Sequence, residues 1–120
     1  MNINSILEVR NHPGFSVIRL LGFVDAGTVE HIKPVIKAKL PAECALIIID
    51  LEKVEFLDSH GIGFLVSLLK RVHSKKGRLI FAGAQNQPAS VLNMVGFNSK
   101  LVTYCDNMQH AEALLEKEKS

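Results

Sequence analysis

The sequence predicts an α/β fold in which helices cover a mostly parallel β-sheet. The run Ala45-Leu46-Ile47-Ile48-Ile49 is apolar on both faces, which is typical of a central strand covered by helices. Strand-like and helix-like segments alternate after it, and this alternation favours parallel strands joined by helical crossovers. Before it, residues 6–10 and 15–21 have strand-like composition and flank the turn His12-Pro13-Gly14. These two segments predict an antiparallel hairpin at the N-terminus.

Length and composition indicate one domain that spans residues 1–120. The chain has 120 residues, of which 48% are hydrophobic and 22% are charged. These values are close to the average for a soluble globular domain. The tail at 116–120, with the sequence Glu-Lys-Glu-Lys-Ser, is expected to fray.

Charge, cysteines and hydropathy limit the classes of partner. The formal net charge of +2 is too small to indicate direct binding to nucleic acid or to an anionic membrane surface. Cys44 and Cys105 lie far apart without metal-ligand spacing, which suits a reducing cytosol. The first residues lack the pattern of a signal peptide, and the apolar run 44–49 is much shorter than the ~20 residues of a membrane-spanning helix. We therefore expect a cytoplasmic protein that does not insert into a membrane.

A first helix is expected after the hairpin. Gly22 is expected to end the second strand, and Thr28 is a reasonable N-cap for the helix. Pro34 lies within the helical pattern, where it removes a backbone donor and clashes with the preceding turn. We therefore expect this helix to be kinked or shortened. Its apolar residues recur at helical spacing and are Val29, Ile32, Ile36 and Leu40.

Residues 59–74 form the clearest helical pattern of the chain. Asp58 precedes this helix as a candidate N-cap, and Gly77 is well placed to end it. The basic stretch from position 70 to 78 is interpreted as a solvated helix end and turn. The predicted buried stripe consists of Ile62, Leu65, Val66, Leu69 and Val72.

Four further elements complete the order β-β-α-β-α-β-α-β-α. Residues 78–83 and 101–104 are predicted strands. Residues 88–95 are a predicted short helix with Pro88 in its first turn, closed by Gly96. Asp106, followed three residues later by Gln109, resembles a capping box. It would open a final helix that runs through Met108, Ala111 and Leu115.

The candidate functional region follows the central strand, because open α/β sheets bind ligands and partners at the carboxyl ends of their strands. Here that region is residues 50–63, with Asp50 expected at the strand end and Ser59 at the first position of the next helix. A phosphate on Ser59 would lie beside unpaired backbone amides at the positive end of the helix dipole. It would also add about 1.5–2 negative charges next to Asp58. An ordinary first-turn serine is the other interpretation.

Two glycines in the same helix start also have two interpretations. Gly61 and Gly63 lie in the first two turns, where each costs ~1 kcal/mol relative to alanine. Small residues there either leave the backbone open to a close-approaching surface or allow tight packing against the sheet. Spacing alone does not distinguish these two interpretations.

The motif around Ser59 resembles the signature of STAS domains. Asp50-Leu51, Val54, Phe56-Leu57-Asp58-Ser59 and Gly61-Ile62 resemble the pattern D-L-x-x-V-x-F-[IL]-D-S-[ST]-G-[IL] of that family. The segment Gly22-Phe23-Val24-Asp25-Ala26-Gly27-Thr28 is similar to the family's G-x-[IL]-D-x-x-[TN] loop. The resemblance covers nearly the whole chain and is closest to anti-sigma factor antagonists.

The resemblance implies a single STAS-like domain that acts as a phosphorylation switch, needs no cofactor and catalyses nothing. In this family the unphosphorylated antagonist binds an anti-sigma factor with serine kinase activity and thereby releases a sigma factor. Phosphorylation of the serine breaks the complex, and a phosphatase restores it. Carried over by motif, Ser59 is the phosphoacceptor. The residues expected to contact the partner are Asp25, Thr28, Asp58, Ser59, His60, Gly61 and Gly63.

The chain departs from the family pattern at His60, where a second Ser or Thr is usual. This histidine would either alter partner recognition or give the loop a side chain that titrates near pH 6.5. A simple exposed substitution is the third interpretation.

Other functions fit the sequence less well. A response regulator with Asp50 as phosphoacceptor would need an acidic pair after the first strand and a lysine after a late one, and neither is present. Consecutive residues such as Asp58-Ser59-His60 cannot form a hydrolase triad, whose members are assembled from distant segments. The main alternative is another STAS role, as a scaffold or regulatory component of a stress-signalling or transporter complex.

Overall fold

The computed structural model describes residues 2–119. Within that range the strands are β1 (Leu7–His12), β2 (Phe15–Val24), β3 (Leu46–Leu57), β4 (Arg78–Ala82) and β5 (Thr103–Cys105), and the helices are α1 (Ala26–Lys39), α2 (Ser59–Ser74), α3 (Asn86–Met94) and α4 (Met108–Lys119). The sheet has the order β1-β2-β3-β4-β5; β1 and β2 are antiparallel and the later neighbours are parallel. The predicted α/β fold with its N-terminal hairpin and mostly parallel sheet is confirmed.

Helices lie on both faces of the sheet. The apolar side chains of α1, α2 and α3 pack on one face, over the inward residues of β2, β3 and β4. α4 covers the other face, where Ala111 and Leu115 pack with Ile48 and Ile80. Because both faces of β3 are covered, the three isoleucines at 47–49 are fully buried, as expected of a central strand.

The central strand β3 is longer than predicted. It was expected to end at Ile49, with Asp50 at its carboxyl end, but it continues to Leu57. Its pairing with β2 shifts twice, and each shift leaves one extra residue on β3. These bulges break the two-residue alternation that identifies strands, so that the buried residues of the second half, Leu51, Val54 and Leu57, are three apart.

Gly22 does not end β2, which continues to Val24. Its φ angle of 74° lies in the left-handed region that glycine adopts without steric cost. The second shift in the β2–β3 pairing falls between Gly22 and Phe23. Gly22 therefore lies opposite the second bulge of β3, and the prediction of a strand end there was wrong.

Helix α1 begins earlier than predicted and includes its proline. Its N-cap is Asp25, whose Oδ1 accepts a hydrogen bond from Thr28 N at 3.0 Å; the prediction of Thr28 as N-cap was wrong. The helix continues through Pro34 to Lys39, so it is not shortened, and a kink stays a prediction. Pro34 and Glu30, whose carbonyl loses its helical donor, are both exposed, and water can therefore satisfy that carbonyl.

Helix α2 has the predicted bounds and the predicted cap, Asp58. Its buried face is rotated from the prediction, because Ile62, Val66 and Leu69 are only partly buried. The helix is apolar around much of its circumference, so periodicity alone could not choose the inward face. The buried residues are Gly61, Phe64, Leu65, Leu68 and Val72.

The end of α2 also differs from the prediction. The residue with left-handed backbone is Lys76, with a φ of 57°, and not Gly77. Gly77 is required for a different reason, because a Cβ there would lie 1.7 Å from the carbonyl oxygen of Ala45.

The C-terminal elements are shifted slightly from their predicted bounds. Pro88 lies in the first turn of α3, as predicted, whereas β5 starts two residues later than expected. The cap of α4 is Asn107, whose Oδ1 accepts from His110 N at 2.8 Å, and not Asp106. α4 reaches Lys119; fraying of 116–120 stays a prediction, and Ser120 lies outside the described residues. No helix within residues 2–119 combines the length and the apolar character needed to cross a membrane.

Candidate functional site

The same three-residue pattern ends β2 and β3 and leads into a helix. Phe23-Val24-Asp25 ends β2, and Phe56-Leu57-Asp58 ends β3. The two strands are parallel, and their register places each phenylalanine and each aliphatic residue opposite its counterpart. Both aspartates cap the helix that follows. The structure therefore brings the two predicted partner-binding loops together at one edge of the sheet.

Asp58 is held firmly as the N-cap of α2. Its Oδ1 accepts hydrogen bonds from His60 N at 2.8 Å and from Gly61 N at 3.0 Å. These backbone hydrogen bonds, with that of Gly61 the most important, lower the pKa of the Asp58 carboxyl below its usual range. The carboxylate also faces the positive end of the helix dipole. Asp58 is therefore ionised at neutral pH.

Ser59 is the first residue of α2, and it is exposed. The sequence suggested that a phosphate there would meet unpaired backbone amides. That expectation was wrong for the amides of His60 and Gly61, because the Asp58 carboxylate already accepts both. A phosphate on Ser59 would therefore concentrate negative charge beside an ionised carboxylate.

His60 lies on the surface next to the same carboxylate. Its Nδ1 is 3.5 Å from Asp58 Oδ2, and its side chain is 61% exposed. When the imidazole is protonated, this contact is an ion pair; its exposure limits the energy of the pair to about 1 kcal/mol or less.

The two glycines of the helix start occupy different environments. Gly61 is buried, and a Cβ there would lie 2.5 Å from the carbonyl oxygen of Val24. Gly61 is therefore needed for close packing of α2 on the end of β2. Gly63 is exposed, and a Cβ there would have no neighbour within 4 Å among the described residues. The packing interpretation thus applies to Gly61, and the open-backbone interpretation applies to Gly63.

The Asp25 loop is closed by two hydrogen bonds to Thr28. The backbone amide of Thr28 donates to the Asp25 carboxylate, and Thr28 Oγ1 donates to the carbonyl of Phe23 at 2.9 Å. Thr28 is buried, whereas Asp25 is half-buried. Thr28 therefore holds the loop in shape, and Asp25 is the residue of the two that is open to solvent.

Gln87 fixes the end of β3, which is a role that the sequence did not indicate. β4 pairs with β3 only as far as Asp50, so the backbone of Leu57 has no partner from β4. The side-chain amide of Gln87 replaces it: its Oε1 accepts from Leu57 N at 2.9 Å and its Nε2 donates to Leu57 O at 2.8 Å. α3 thereby positions the residues that lead to Asp58.

An exposed aromatic pair lies at the same edge. Phe23 and Phe56 are 57% and 39% exposed, and their ring centroids are stacked 5.7 Å apart. Exposed aromatic side chains are enriched where proteins dock. Sequence reasoning missed this pair, although the repeated Phe-aliphatic-Asp pattern was a signal that could have found it.

Asp50 does not belong to this edge. It is 5% exposed, and its Oδ1 accepts from Glu52 N at 3.1 Å while its Oδ2 lies 3.9 Å from Arg19 Nε. Burial raises the pKa of its carboxyl. A phosphodonor cannot reach a buried carboxylate, so the response-regulator interpretation is wrong.

The edge offers a hydroxyl and a docking surface. In the described part of the chain, no three or more His, Cys, Asp or Glu side chains are arranged to hold a metal ion. Ser59 lies between the ionised Asp58 and the exposed His60. The exposed rings of Phe23 and Phe56 lie at the ends of the two strands. This arrangement can accept a phosphate and can contact a protein.

Comparison with known proteins identifies relatives of this chain. The model of the STAS domain family matches residues 7–111. The anti-sigma F factor antagonist of Paenibacillus polymyxa is 25% identical over 115 residues, which cover 95% of this chain and 97% of that protein. The putative sulfate transporter YvdB of Bacillus subtilis is 22% identical over 96 residues, which are 80% of this chain and 18% of the transporter.

Solved structures have the same fold. The anti-sigma factor antagonist SpoIIAA in its unphosphorylated form has a TM-score of 0.71 at 21% identity, over 95% of this chain and 98% of that one. The phosphorylated form of Bacillus SpoIIAA has a TM-score of 0.69 at 21% identity, over 90% of this chain and 98% of that one. Because the family model matches most of this chain and the fold is shared, this chain belongs to the STAS domain family.

Proposed function

We propose that this protein is an anti-sigma factor antagonist that works by reversible docking in the cytoplasm and has no catalytic activity of its own. In the unphosphorylated state it binds an anti-sigma factor with serine kinase activity, and the sigma factor is released. Phosphorylation of Ser59 blocks this binding, and a phosphatase restores it.

The observation that carries the proposal is the position of Ser59. It is exposed at the start of α2, beside the ionised Asp58. The edge also includes Asp25, the open backbone at Gly63 and the pair Phe23–Phe56. A kinase that docks on this edge would find the hydroxyl within its contact area. Relatives named as anti-sigma factor antagonists support the same role.

The switch works through the cost of burying charge. In the unphosphorylated state the edge presents a hydroxyl and two aromatic rings beside one carboxylate that is already hydrogen-bonded. A phosphate adds about 1.5–2 negative charges next to that carboxylate. A partner would then have to desolvate two adjacent anions, and burying such charge without a matching cation is unfavourable.

Substitutions at Ser59 test the proposal. Ser59→Ala should bind the anti-sigma factor of the same organism with unchanged affinity, because no charge is added. Ser59→Glu should weaken binding at least about thirtyfold, since an unpaired charge at an interface costs 2–5 kcal/mol. Titration calorimetry measures both. Phosphosite mapping of the protein from its native cells should find phosphate on Ser59 in the wild type.

Ser74→Glu is the matched control. Ser74 is also exposed, and it ends α2, roughly 22 Å along the helix from Ser59. Ser74→Glu adds the same charge as Ser59→Glu. We expect it to change the affinity less than about threefold, because a distant exposed charge is screened. Loss of binding in Ser59→Ala, or equal binding by Ser59→Glu and the wild type, would contradict the proposed switch.

A regulatory role within a transporter complex is the second candidate. It is favoured by the similarity of 96 residues of this chain to part of a putative sulfate transporter. In that case the protein would co-purify with membrane-transport components. The wild type and Ser59→Glu would both fail to bind an anti-sigma factor, because no such complex would form.

A further inference from the structure

The helical layer carries a basic groove that lies away from the Ser59 edge. Helices α1 and α2 lie next to each other on one face of the sheet and enclose a groove of about 300 Å³. The groove begins near Phe64, roughly 7 Å along α2 from Ser59, and extends to Arg71, roughly 18 Å from it. Its main lining residues are Lys33, Ile36, Lys37, Phe64, Leu68 and Arg71.

The floor of the groove is apolar and its rim is cationic. Ile36, Phe64 and Leu68 are buried and form the floor. Lys33 and Lys37 lie one helical turn apart on α1 and are exposed. None of the groove-lining residues in the described part of the chain is acidic. A ligand that fits must therefore combine an apolar group with negative charge.

Arg71 is held in place on the opposite wall. Its Nη2 donates to the carbonyl of Pro41 at 3.0 Å, which ties α2 to the segment after α1. A cation that is fixed in this way loses less side-chain entropy when it meets an anion than a free lysine does.

The charge of the whole layer supports the same ligand. α1 and α2 together contain five Lys or Arg residues and one acidic residue, a net charge of +4, whereas the whole chain has a net charge of +2. The rest of the molecule is thus net negative. An acidic partner is therefore attracted to α1 and α2 more strongly than to the rest of the molecule.

We propose that the α1–α2 groove binds an acidic segment of a partner protein, with one bulky apolar side chain on the groove floor and carboxylates at Lys33, Lys37 and Arg71. This contact is separate from the Ser59 edge and does not require phosphorylation. A lipid bilayer fits less well, because the large apolar side chains that are exposed in the described part of the chain, Phe23, Phe56, Met94, Val95 and Leu101, lie outside α1 and α2. A nucleic acid backbone would leave the apolar floor unfilled.

Selection from a library of random peptides of about 15 residues on the immobilised whole chain tests the proposal. We expect the enriched peptides to contain Asp or Glu residues around one Leu, Ile, Phe or Met. Replacing that apolar residue by Ser should weaken binding roughly tenfold or more, because burial of one such side chain is lost. Raising the salt concentration from about 0.05 M to about 0.5 M should weaken binding further.

Variants of the chain locate the binding site. The double variant Lys33→Glu/Lys37→Glu should bind the selected peptide at least about tenfold more weakly than the wild type. The control Lys100→Glu/Lys117→Glu makes the same change in net charge at exposed positions outside α1 and α2, and it should stay within about twofold. Urea unfolding checks that both variants fold, and Lys33→Gln/Lys37→Gln replaces the first variant if it does not.

The proposal would be overturned if the library yielded no binding peptide or if the enriched peptides lacked acidic residues. Equal weakening of peptide binding by the two charge-reversed double variants would also overturn it. Binding to vesicles with anionic lipid or to duplex DNA, in place of acidic peptides, would also overturn it. Loss of peptide binding in Ser59→Glu would show that the groove and the Ser59 edge are one site, which contradicts their separation.

Discussion

At the scale of single residues, Asp58 both starts α2 and sets the charge beside Ser59. Asp58→Ala removes the acceptor of two backbone hydrogen bonds and should lower the free energy of unfolding by about 1 kcal/mol at neutral pH. Asp58→Asn keeps an acceptor and should lose less. Urea unfolding followed by circular dichroism measures both changes.

The effect of Asp58 on stability should depend on pH. Because its native pKa is lowered, its stabilising contribution is present above the unfolded pKa of about 3.9 and is lost as the pH falls through the native pKa. The difference between wild type and Asp58→Ala should therefore shrink in acid. A difference that is the same at about pH 3 and at neutral pH would contradict the role of the charge.

Gly61 and Gly63 form a matched pair for the same substitution. Gly61→Ala places a methyl group against the Val24 carbonyl and should lower the free energy of unfolding by about 1–3 kcal/mol. Gly63→Ala places it in open space and should raise the free energy by up to about 1 kcal/mol. Urea unfolding of the two variants, side by side, measures the difference. Equal effects would show that helix propensity alone determines both.

At the scale of elements, β3 joins a first half that pairs with both β2 and β4 to a second half that pairs with β2 alone and leads to the site. Asp50 lies at the junction, and burial raises the pKa of its carboxyl. Because the native pKa is raised, protonated Asp50 stabilises the folded state fully below the unfolded pKa. This stabilisation is lost as the pH rises through the native pKa. Ionisation of the buried Asp50 thus lowers the free energy of unfolding of the protein.

Asp50→Asn tests this consequence. The amide oxygen can still accept from Glu52 N, and the buried side chain at position 50 no longer carries a charge. We expect the variant to be at least as stable as the wild type at neutral pH, and we expect any gain to disappear by about pH 3. Urea unfolding at the two pH values measures it. A large loss of stability at neutral pH would instead mean that the pairing with Arg19 outweighs the burial of Asp50.

At the scale of the whole molecule, the sheet has two apolar layers of unequal size. The larger lies under α1, α2 and α3, and the smaller lies under α4. Leu115 is 6% exposed in the smaller layer, whereas Leu114 is half-buried at its margin. Cooperative folding of the domain therefore depends on α4 as well as on the helices near Ser59.

Truncation of Leu115 measures that dependence. Leu115→Ala should lower the free energy of unfolding by about 2–5 kcal/mol through lost burial and the cavity that it leaves. Leu114→Ala, the same change at a less buried position, should cost less. Thermal and urea unfolding compare them, and a Leu115→Ala protein as stable as Leu114→Ala would show that α4 packs loosely on the sheet.

The sequence by itself determined the α/β class, the bounds of α2, its cap at Asp58 and the location of Ser59. These features depend on local rules: an apolar run with turns at its ends, the spacing of apolar residues and the preference for Asp before a helix. Each rule involves residues within a few positions of one another, so no knowledge of distant contacts was needed.

Only the tertiary structure decided the length of β3, the inward face of α2 and the neighbours of Ser59. The two bulges in β3 are defined by its pairing with β2. α2 is apolar around much of its circumference, so its packing against the sheet determines which face is buried. Three tertiary features join residues about 30 or more positions apart: the Phe23–Phe56 pair, the hydrogen bonds between Gln87 and Leu57, and the basic groove. Such contacts depend on strand register and helix packing, which no local pattern of residues specifies.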